Sequence, residues 1–451
     1  MGLEIGIEWL TLIMFGSLLA LLMAGLPLAF VTGGLACVFL YILGDERALN
    51  IVPSRIFPLM TNYQLSAIPL FIFMASMLER AGIINDMFDV IYKVLGGVKG
   101  GLAAATIIAS TVLAAMVGVI GAAVVTMGII ALPAMLKRGY DPKIAMGSIM
   151  AGGTLGILIP PSILAIIYAV VAEQSVGELF IGAVFPGLML SGTYVLYVVI
   201  RSTINPTLGP PIPVEERVSF AEKVRLMGNM SAPIALIVIV LGVIFTGVAT
   251  PVEAAGIGTF GAFIVAAIHR KLDWQTVREA SIGTLKASAM VIWIMFGATI
   301  FVGLYVLEGG QQFVQSALEA TGFGPWGILI IMMFVLVILG MFLDWVGILL
   351  LCVPIFVPII KAMGPEPFGL TTEADLVLWF GVLYLVNMQM SFLSPPFGYA
   401  LFYLRGVAPP EIPMTDIFKS ALPFLALQIV GLVLCMVFPE IITWLPRLVY
   451  G

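Results

Sequence analysis

The sequence has few of the residues on which most enzymes and nucleic-acid-binding proteins depend. Only 10% of its 451 residues are charged, and it contains one histidine and three cysteines. These few residues are too dispersed to predict a metal cluster or a disulfide framework. The sequence also lacks a Gly-x-x-x-x-Gly-Lys-Ser/Thr loop for ATP and a basic patch for nucleic acid. We therefore expect no metalloenzyme, no ATP hydrolysis, no nucleic-acid partner and no cofactor.

The sequence is instead dominated by long hydrophobic runs. Hydrophobic residues make up 61% of the chain, and its mean hydropathy is +1.16. A helix that spans a lipid bilayer needs about 20 apolar residues, so the chain has room for about ten or eleven spans. Residues 9–26 have no basic leader and are predicted to be a retained first span. We predict an all-α polytopic membrane protein.

The segments follow one order twice, which predicts two repeats, residues 1–200 and 232–451. The polar stretch 201–231 between them is predicted to be a cytoplasmic linker. Each repeat has an apolar run that is too long for one span, residues 100–136 and 326–363. Such a run forms either a long tilted helix or a re-entrant hairpin.

The charges beside these two runs favour hairpins of opposite orientation. Basic residues flank the first run, which places its base in the cytoplasm: Lys93, Lys99, Lys137, Arg138 and Lys143. The flanks of the second run are acidic and poor in Lys and Arg, so its base is predicted on the periplasmic side. The pattern predicts inverted-topology repeats, with chance repetition of generic helices as the alternative.

Each repeat also has a Pro-Pro pair inside a hydrophobic helix. Pro160-Pro161 precedes Ser162, and Pro395-Pro396 follows Ser394. Proline removes a backbone donor and clashes with the preceding turn, so each helix must break there. Such breaks are tolerated in a bilayer only inside protein or beside a watery cavity, and they mark transporter binding sites. Kinks that serve only helix packing are the alternative.

Backbone carbonyls at a helix break suit Na⁺, which is the only metal ion we predict. We predict two sodium sites, each formed by a hairpin tip and the break that follows it. The first consists of Val117, Gly118, Val119, Gly121, Thr154, Gly156, Pro160 and Ser162. The second consists of Gly340, Asp344, Gly347, Ser391, Ser394 and Pro395.

Polar side chains near the breaks are candidates for substrate binding: Asn387, Gln389, Ser391 and Ser162. Interhelical hydrogen bonding is the alternative for Asn387 and Gln389. Asp344 is costly in an apolar run, which makes it a functional candidate. Three roles are open for its side chain: it faces an ion, it orients the hairpin tip by hydrogen bonds, or it lies at a wet surface.

In their order along the chain, these motifs resemble the large membrane subunit of tripartite ATP-independent periplasmic (TRAP) transporters. The resemblance covers nearly the whole length. It rests on Ile68-Pro69-Leu70-Phe71, the Gly118 tip with Pro133 and Gly139-Tyr140, Gly156 with Ile159-Pro160-Pro161-Ser162, Phe185-Pro186-Gly187, Gly340 with Asp344 and Pro354, and Ser394-Pro395-Pro396-Phe397-Gly398.

The resemblance implies an elevator-type importer in the bacterial inner membrane, and no enzyme activity. A transport domain that carries both hairpins would move against a fixed scaffold, driven by a Na⁺ gradient. A periplasmic substrate-binding protein would deliver small organic acids, and a small four-helix membrane subunit, as a separate chain, would join the scaffold. The scaffold helices would comprise residues 8–60 and 232–280, and the transport parts 65–171 and 285–404, followed by a last span at 420–445.

One departure from the family pattern concerns the first tip. Many relatives have Ser-Gly-Ser there, whereas this chain has Val117-Gly118-Val119. Sodium at the first site would therefore depend on backbone carbonyls. Two rival functions stay open: a stand-alone Na⁺/carboxylate symporter of related fold, and a channel or structural membrane scaffold.

Overall fold

The computed structural model describes residues 5–44, 46–117, 120–213 and 217–450, in which every regular element is a helix. The helices of the first half are α1 (Ile7–Met23), α2 (Leu28–Gly44), α3 (Ile51–Met60), α4 (Ala67–Arg80), α5 (Ile83–Leu95), α6 (Gly101–Val117), α7 (Ile120–Lys137), α8 (Pro142–Thr154), α9 (Ile163–Val171) and α10 (Val176–Ile204). Those of the second half are α11 (Phe220–Asn229), α12 (Ser231–Phe245), α13 (Pro251–Ile268), α14 (Trp274–Leu307), α15 (Gly310–Glu319), α16 (Pro325–Phe342), α17 (Trp345–Met363), α18 (Glu373–Leu393), α19 (Tyr399–Val407), α20 (Met414–Val437) and α21 (Glu440–Tyr450).

The lengths of these helices suit a bilayer. In the described part of the chain, 8 helices are long and apolar enough to span a membrane, or up to 10 if each of two bent helix pairs is one span. The apolar helices α1, α2 and α6 have 17 residues each. The prediction of an all-α polytopic membrane protein is confirmed.

Each long apolar run consists of two helices that pack against each other. α6 ends at Val117 and α7 begins at Ile120, while α16 ends at Phe342 and α17 begins at Trp345. The two helices of each pair contact each other. α6 and α7 also both contact α8, and α16 and α17 both contact α18, which agrees with the hairpin alternative for each run. The inverted orientation of the repeats and an elevator movement stay predictions.

One predicted boundary falls inside a helix. The scaffold part is predicted to end at residue 280 and the transport part to begin at 285, whereas the structure has one continuous helix of 34 residues there, α14. The carboxylate of Asp273 caps its first turn by accepting a hydrogen bond of 2.7 Å from the backbone N–H of Thr276. The polar face of that first part contacts α4, where Glu279 pairs with Arg80. Polar residues on one side therefore did not end the helix.

α4 and α14 pack against each other. α4 also contacts α13 and α6, and α14 contacts α2 and α17. The crossing of α14 with α2 is close, because a Cβ on Gly297 would lie 2.4 Å from the Oγ1 of Thr32. The division into scaffold and transport parts stays a prediction, and α4 and α14 lie at the junction.

Candidate functional site

The first break lies inside the protein. α8 ends at Thr154, a 3-10 turn follows at Leu155–Ile157, and α9 begins at Ile163. Every residue from Thr154 to Ser162 is buried. The hydroxyl of Ser162 donates to the carbonyl of Ile157 at 2.5 Å and accepts from the N–H of Ala165 at 3.4 Å. This side chain therefore connects the backbone on the two sides of the break.

The first hairpin packs on this break. α6 contacts the 3-10 turn, and α7 contacts both the turn and α8. A Cβ on Gly153 would lie 2.4 Å from the Cγ2 of Val124 in α7. Gly118 and Val119 lie outside the described residues, as does the side chain of Val117. Gly121 instead faces Tyr403 of α19, since a Cβ there would lie 3.1 Å from the ring.

A buried glutamine that the sequence reasoning missed reaches the first break from α20. The Nε2 of Gln428 donates to the Oγ1 of Thr154 at 3.3 Å, and that hydroxyl donates to the carbonyl of Ala151 at 2.9 Å. The Oε1 of Gln428 has no hydrogen-bond partner within the described residues. A glutamine in the middle of an apolar helix was the signal that could have identified it.

The second break is more open than the first. α18 ends at Leu393 and α19 begins at Tyr399, with Pro396 and Phe397 exposed between them. The hydroxyl of Ser394 donates to the carbonyl of Met390 at 2.6 Å. Pro160-Pro161 and Pro395-Pro396 both have cis peptide bonds.

The second hairpin contacts the helix that leads into the second break. A Cβ on Gly340 would lie 2.2 Å from the Cβ of Ser391. The hydroxyl of Ser391 donates to the carbonyl of Leu336 at 3.3 Å or of Asn387 at 3.2 Å. The Nδ2 of Asn387 donates to the carbonyl of Met333 at 2.9 Å. Asn387 thus makes the interhelical bond that was the alternative to substrate binding, while its Oδ1 has no partner within the described ranges.

Two residues of the predicted second sodium site have other contacts. Asp344 is half-buried and caps α17, because its carboxylate accepts from the N–H of Val346 at 3.3 Å. Gly347 faces α2, since a Cβ there would lie 2.2 Å from the Cδ2 of Leu28. The structure therefore brings Gly340, Ser391 and Asn387 together, whereas Gly347 contacts α2.

Gln389 combines complete burial with two unpartnered polar atoms. Its side chain is 0% exposed, and neither Nε2 nor Oε1 has a hydrogen-bond partner in the described structure. Two residues are about 200° of rotation on an α-helix, so Gln389 lies on the face opposite Asn387 and Ser391. α18 also packs against α8 and the 3-10 turn of the first break. Buried polar atoms normally have partners, so Gln389 stays a candidate for a contact with substrate or water.

Tyr168 joins the helix that follows the first break to the start of the helix that leads into the second. Its hydroxyl, in α9, donates to the carbonyl of Val377 in α18 at 2.9 Å. Its ring stacks on that of Tyr384 with centroids 6.0 Å apart, and Gly381 lets the two helices approach. Within the described ranges, no three or more His, Cys, Asp or Glu side chains lie close enough together to hold a metal ion. The chemistry available at the breaks is that of carbonyl, hydroxyl and amide groups, which suits Na⁺ and carboxylates.

Comparison with known proteins identifies the family. The model of the family described as "Tripartite ATP-independent periplasmic transporter, DctM component" matches residues 15–441. The chain belongs to this family. The resemblance inferred from the motifs is therefore confirmed, and this DctM-family chain is a multi-pass transporter permease.

Two relatives and one solved structure extend this result. The C4-dicarboxylate TRAP transporter large permease protein DctM of Pseudomonas aeruginosa is 31% identical, over 92% of this chain and 93% of the relative. The protein of the same name from Vibrio cholerae is 29% identical, over 97% of this chain and 98% of the relative. The YdaH transporter of Alcanivorax borkumensis has a similar fold, with a TM-score of 0.64 and 15% identity, over 95% of this chain and 99% of that chain.

Proposed function

We propose that this DctM-family chain is the permease of a Na⁺-coupled, elevator-type importer of small organic acids in the bacterial inner membrane. It works with a separate small four-helix membrane subunit and a periplasmic substrate-binding protein. The family description supports a periplasmic, ATP-independent system, and the names of two relatives specify C4-dicarboxylates. Small organic acids are therefore the substrate class to test first.

The observation that carries the proposal is the pair of unpartnered polar atoms on Gln389. The Nε2 group donates to a carboxylate oxygen of the substrate, and Oε1 accepts from a hydroxyl group or water molecule beside it. An amide can recognise a carboxylate without a permanent charge, which the bilayer interior disfavours. Ser162, whose hydroxyl bridges the first break, is the second substrate candidate. Ser391 lies on the face of α18 opposite Gln389 and bonds to α16, so it belongs to the sodium set at the second break.

Sodium binds at the two breaks in this proposal. At the first, Thr154 supplies a hydroxyl oxygen, and the turn at Gly156 and Pro160 supplies carbonyls. At the second, Gly340, Ser391, Ser394, Pro395 and Asp344 form the corresponding set. The bond from Tyr168 in α9 to Val377 at the start of α18 connects helices of the two sites, which supports their moving together in this proposal. Gly347 faces Leu28 of α2, which makes this contact a candidate sliding surface.

The test is uptake into proteoliposomes that contain this chain, the small subunit and the binding protein, with radiolabelled succinate as the first probe. We expect uptake that requires an inward Na⁺ gradient and stops when Gln389 is replaced by leucine. Uptake that continues after collapse of the Na⁺ gradient would refute the coupling. Uptake without the binding protein would favour a stand-alone symporter, and flux that never saturates would favour a channel.

A further inference from the structure

A basic pocket lies far from the two breaks, between the start of α8, the end of α10 and the start of α20. Its volume is about 230 Å³. Each helix contributes one cation to its lining, namely Lys143, Arg201 and Lys419. We call this cavity the basic pocket.

The charges of the basic pocket are not balanced by the protein. Asp141 is the carboxylate in its lining, and it caps α8 by accepting from the N–H groups of Lys143 at 2.8 Å and Ile144 at 3.2 Å. As far as the chain is described, none of the three cations forms an ion pair. Three like charges that converge on one cavity repel one another, so an anion between them would be stabilised.

Most of the remaining lining is apolar. The rings of Tyr197 and Phe424 pack edge to face with centroids 5.3 Å apart, which joins α10 to α20. Phe424 and Ile144 are buried beneath the mouth. The Tyr197 hydroxyl is a further donor at the edge, one helical turn before Arg201.

The basic pocket adjoins surface that faces lipid. Leu196 and Ile200 on α10 are 59% and 48% exposed, and Leu422 on α20 is 51% exposed. Both helices are candidate membrane spans. Lys99 and Lys137 lie at the ends of the first hairpin on the same side as Lys143, and a concentration of cations marks the cytoplasmic side. Anionic phospholipids are the abundant anions of that surface.

We propose that the basic pocket binds the phosphate group of an anionic glycerophospholipid. The phosphate oxygens accept hydrogen bonds from Lys143, Arg201 and Lys419, with the guanidinium group able to bind two oxygens at once. The acyl chains lie along Leu196, Ile200 and Leu422. Such a lipid links α8, which enters the first break, to α10 and α20. The proposal is independent of substrate and of Na⁺.

The test is native mass spectrometry of the detergent-purified full chain, titrated with dioleoyl phosphatidylglycerol, dioleoyl phosphatidylcholine or sodium phosphate. We expect one phosphatidylglycerol to bind more tightly than further copies. The triple variant Lys143→Gln, Arg201→Gln, Lys419→Gln should weaken this binding about tenfold or more, since each cation near an anionic lipid contributes. The conservative variant Arg201→Lys keeps the charge and should retain most of the affinity.

The matched control removes three exposed cations outside the pocket, Lys93, Lys99 and Arg225. It should bind phosphatidylglycerol like the wild type. Equal loss in the control and pocket variants would overturn the proposal, because it would show a general charge effect. Equal affinity for phosphatidylcholine would exclude selection of an anionic headgroup, and displacement of the lipid by millimolar phosphate would assign the pocket to free phosphate instead.

Discussion

Gly340 and Ser391 touch where the second hairpin meets the second broken helix. A Cβ on Gly340 would lie 2.2 Å from the Cβ and 2.5 Å from the Oγ of Ser391. Such distances are shorter than any van der Waals contact, so α16 and α18 approach this closely only because position 340 has no side chain. The contact brings the hydroxyl of Ser391 to the carbonyl of Leu336. A glycine in the hairpin thus determines how the two halves of the second site fit together.

Gly340→Ala should therefore separate α16 from α18. We expect a loss of about 1–3 kcal/mol in the free energy of unfolding from overpacking, and a loss of transport. Thermal unfolding of the purified protein and uptake in proteoliposomes measure the two effects. Gly16→Ala in α1, where a Cβ would meet nothing within 4 Å, is the control and should keep both properties. Normal stability and transport in Gly340→Ala would contradict the contact.

Gln389→Leu should separate stability from function. The wild-type side chain buries two polar atoms without partners in the described chain, so leucine should leave the substrate-free protein equally stable or stabilise it by up to about 1–3 kcal/mol. Transport should be lost. Asn387→Leu is the matched contrast, because it removes the bond to Met333 and should lower stability by about 1 kcal/mol. A destabilised Gln389→Leu would show that this glutamine has a structural role.

Sodium binding can be tested without any partner protein. NaCl should raise the unfolding temperature more than KCl does at the same ionic strength, because an ion that binds only the folded state stabilises it. Thr154→Val should lower the Na⁺ affinity about tenfold, as expected for one lost oxygen ligand. Thr193→Val is the control, since the hydroxyl of Thr193 donates its hydrogen bond within α10, to the carbonyl of Met189. Equal effects of NaCl and KCl on the wild type would argue against a sodium site.

Much of the fold could be predicted because membrane insertion leaves strong patterns. Apolar length predicted the helices, and the Pro-Pro pairs predicted the two breaks, which follow α8 and α18. The amphipathic start of α14 was misassigned because its polar face contacts α4, where Glu279 pairs with Arg80. That contact joins residues that are distant in the sequence.

The sequence predicted which segments form the candidate site, but not which residues contact one another there. The sequence placed Gly340 and Ser391 in one site, and the structure brings them into contact. Gly347 in α17 faces Leu28, and Gly121 in α7 faces Tyr403. These contacts join residues that are distant in the sequence, so motif spacing did not predict them. Gln428 was missed because α20 follows the second break in the chain but packs on α8, beside the first.

The hydrogen bond between Tyr168 and Val377 connects α9, which follows the first break, to the start of α18, which leads into the second. Tyr168→Phe should cost about 0.5–1.5 kcal/mol, because the carbonyl of Val377 loses a buried donor at 2.9 Å. Tyr194→Phe is the matched control: both tyrosines are 0% exposed, but the Tyr194 hydroxyl has no hydrogen bond within the described ranges, so its removal should cost much less. Chemical denaturation in mixed micelles compares the two variants. If Tyr168 positions the first break against the second, its variant should also weaken Na⁺ binding at both sites, which a purely local loss of stability would not do. Equal unfolding free energies for the two variants would show that the bond to Val377 contributes nothing.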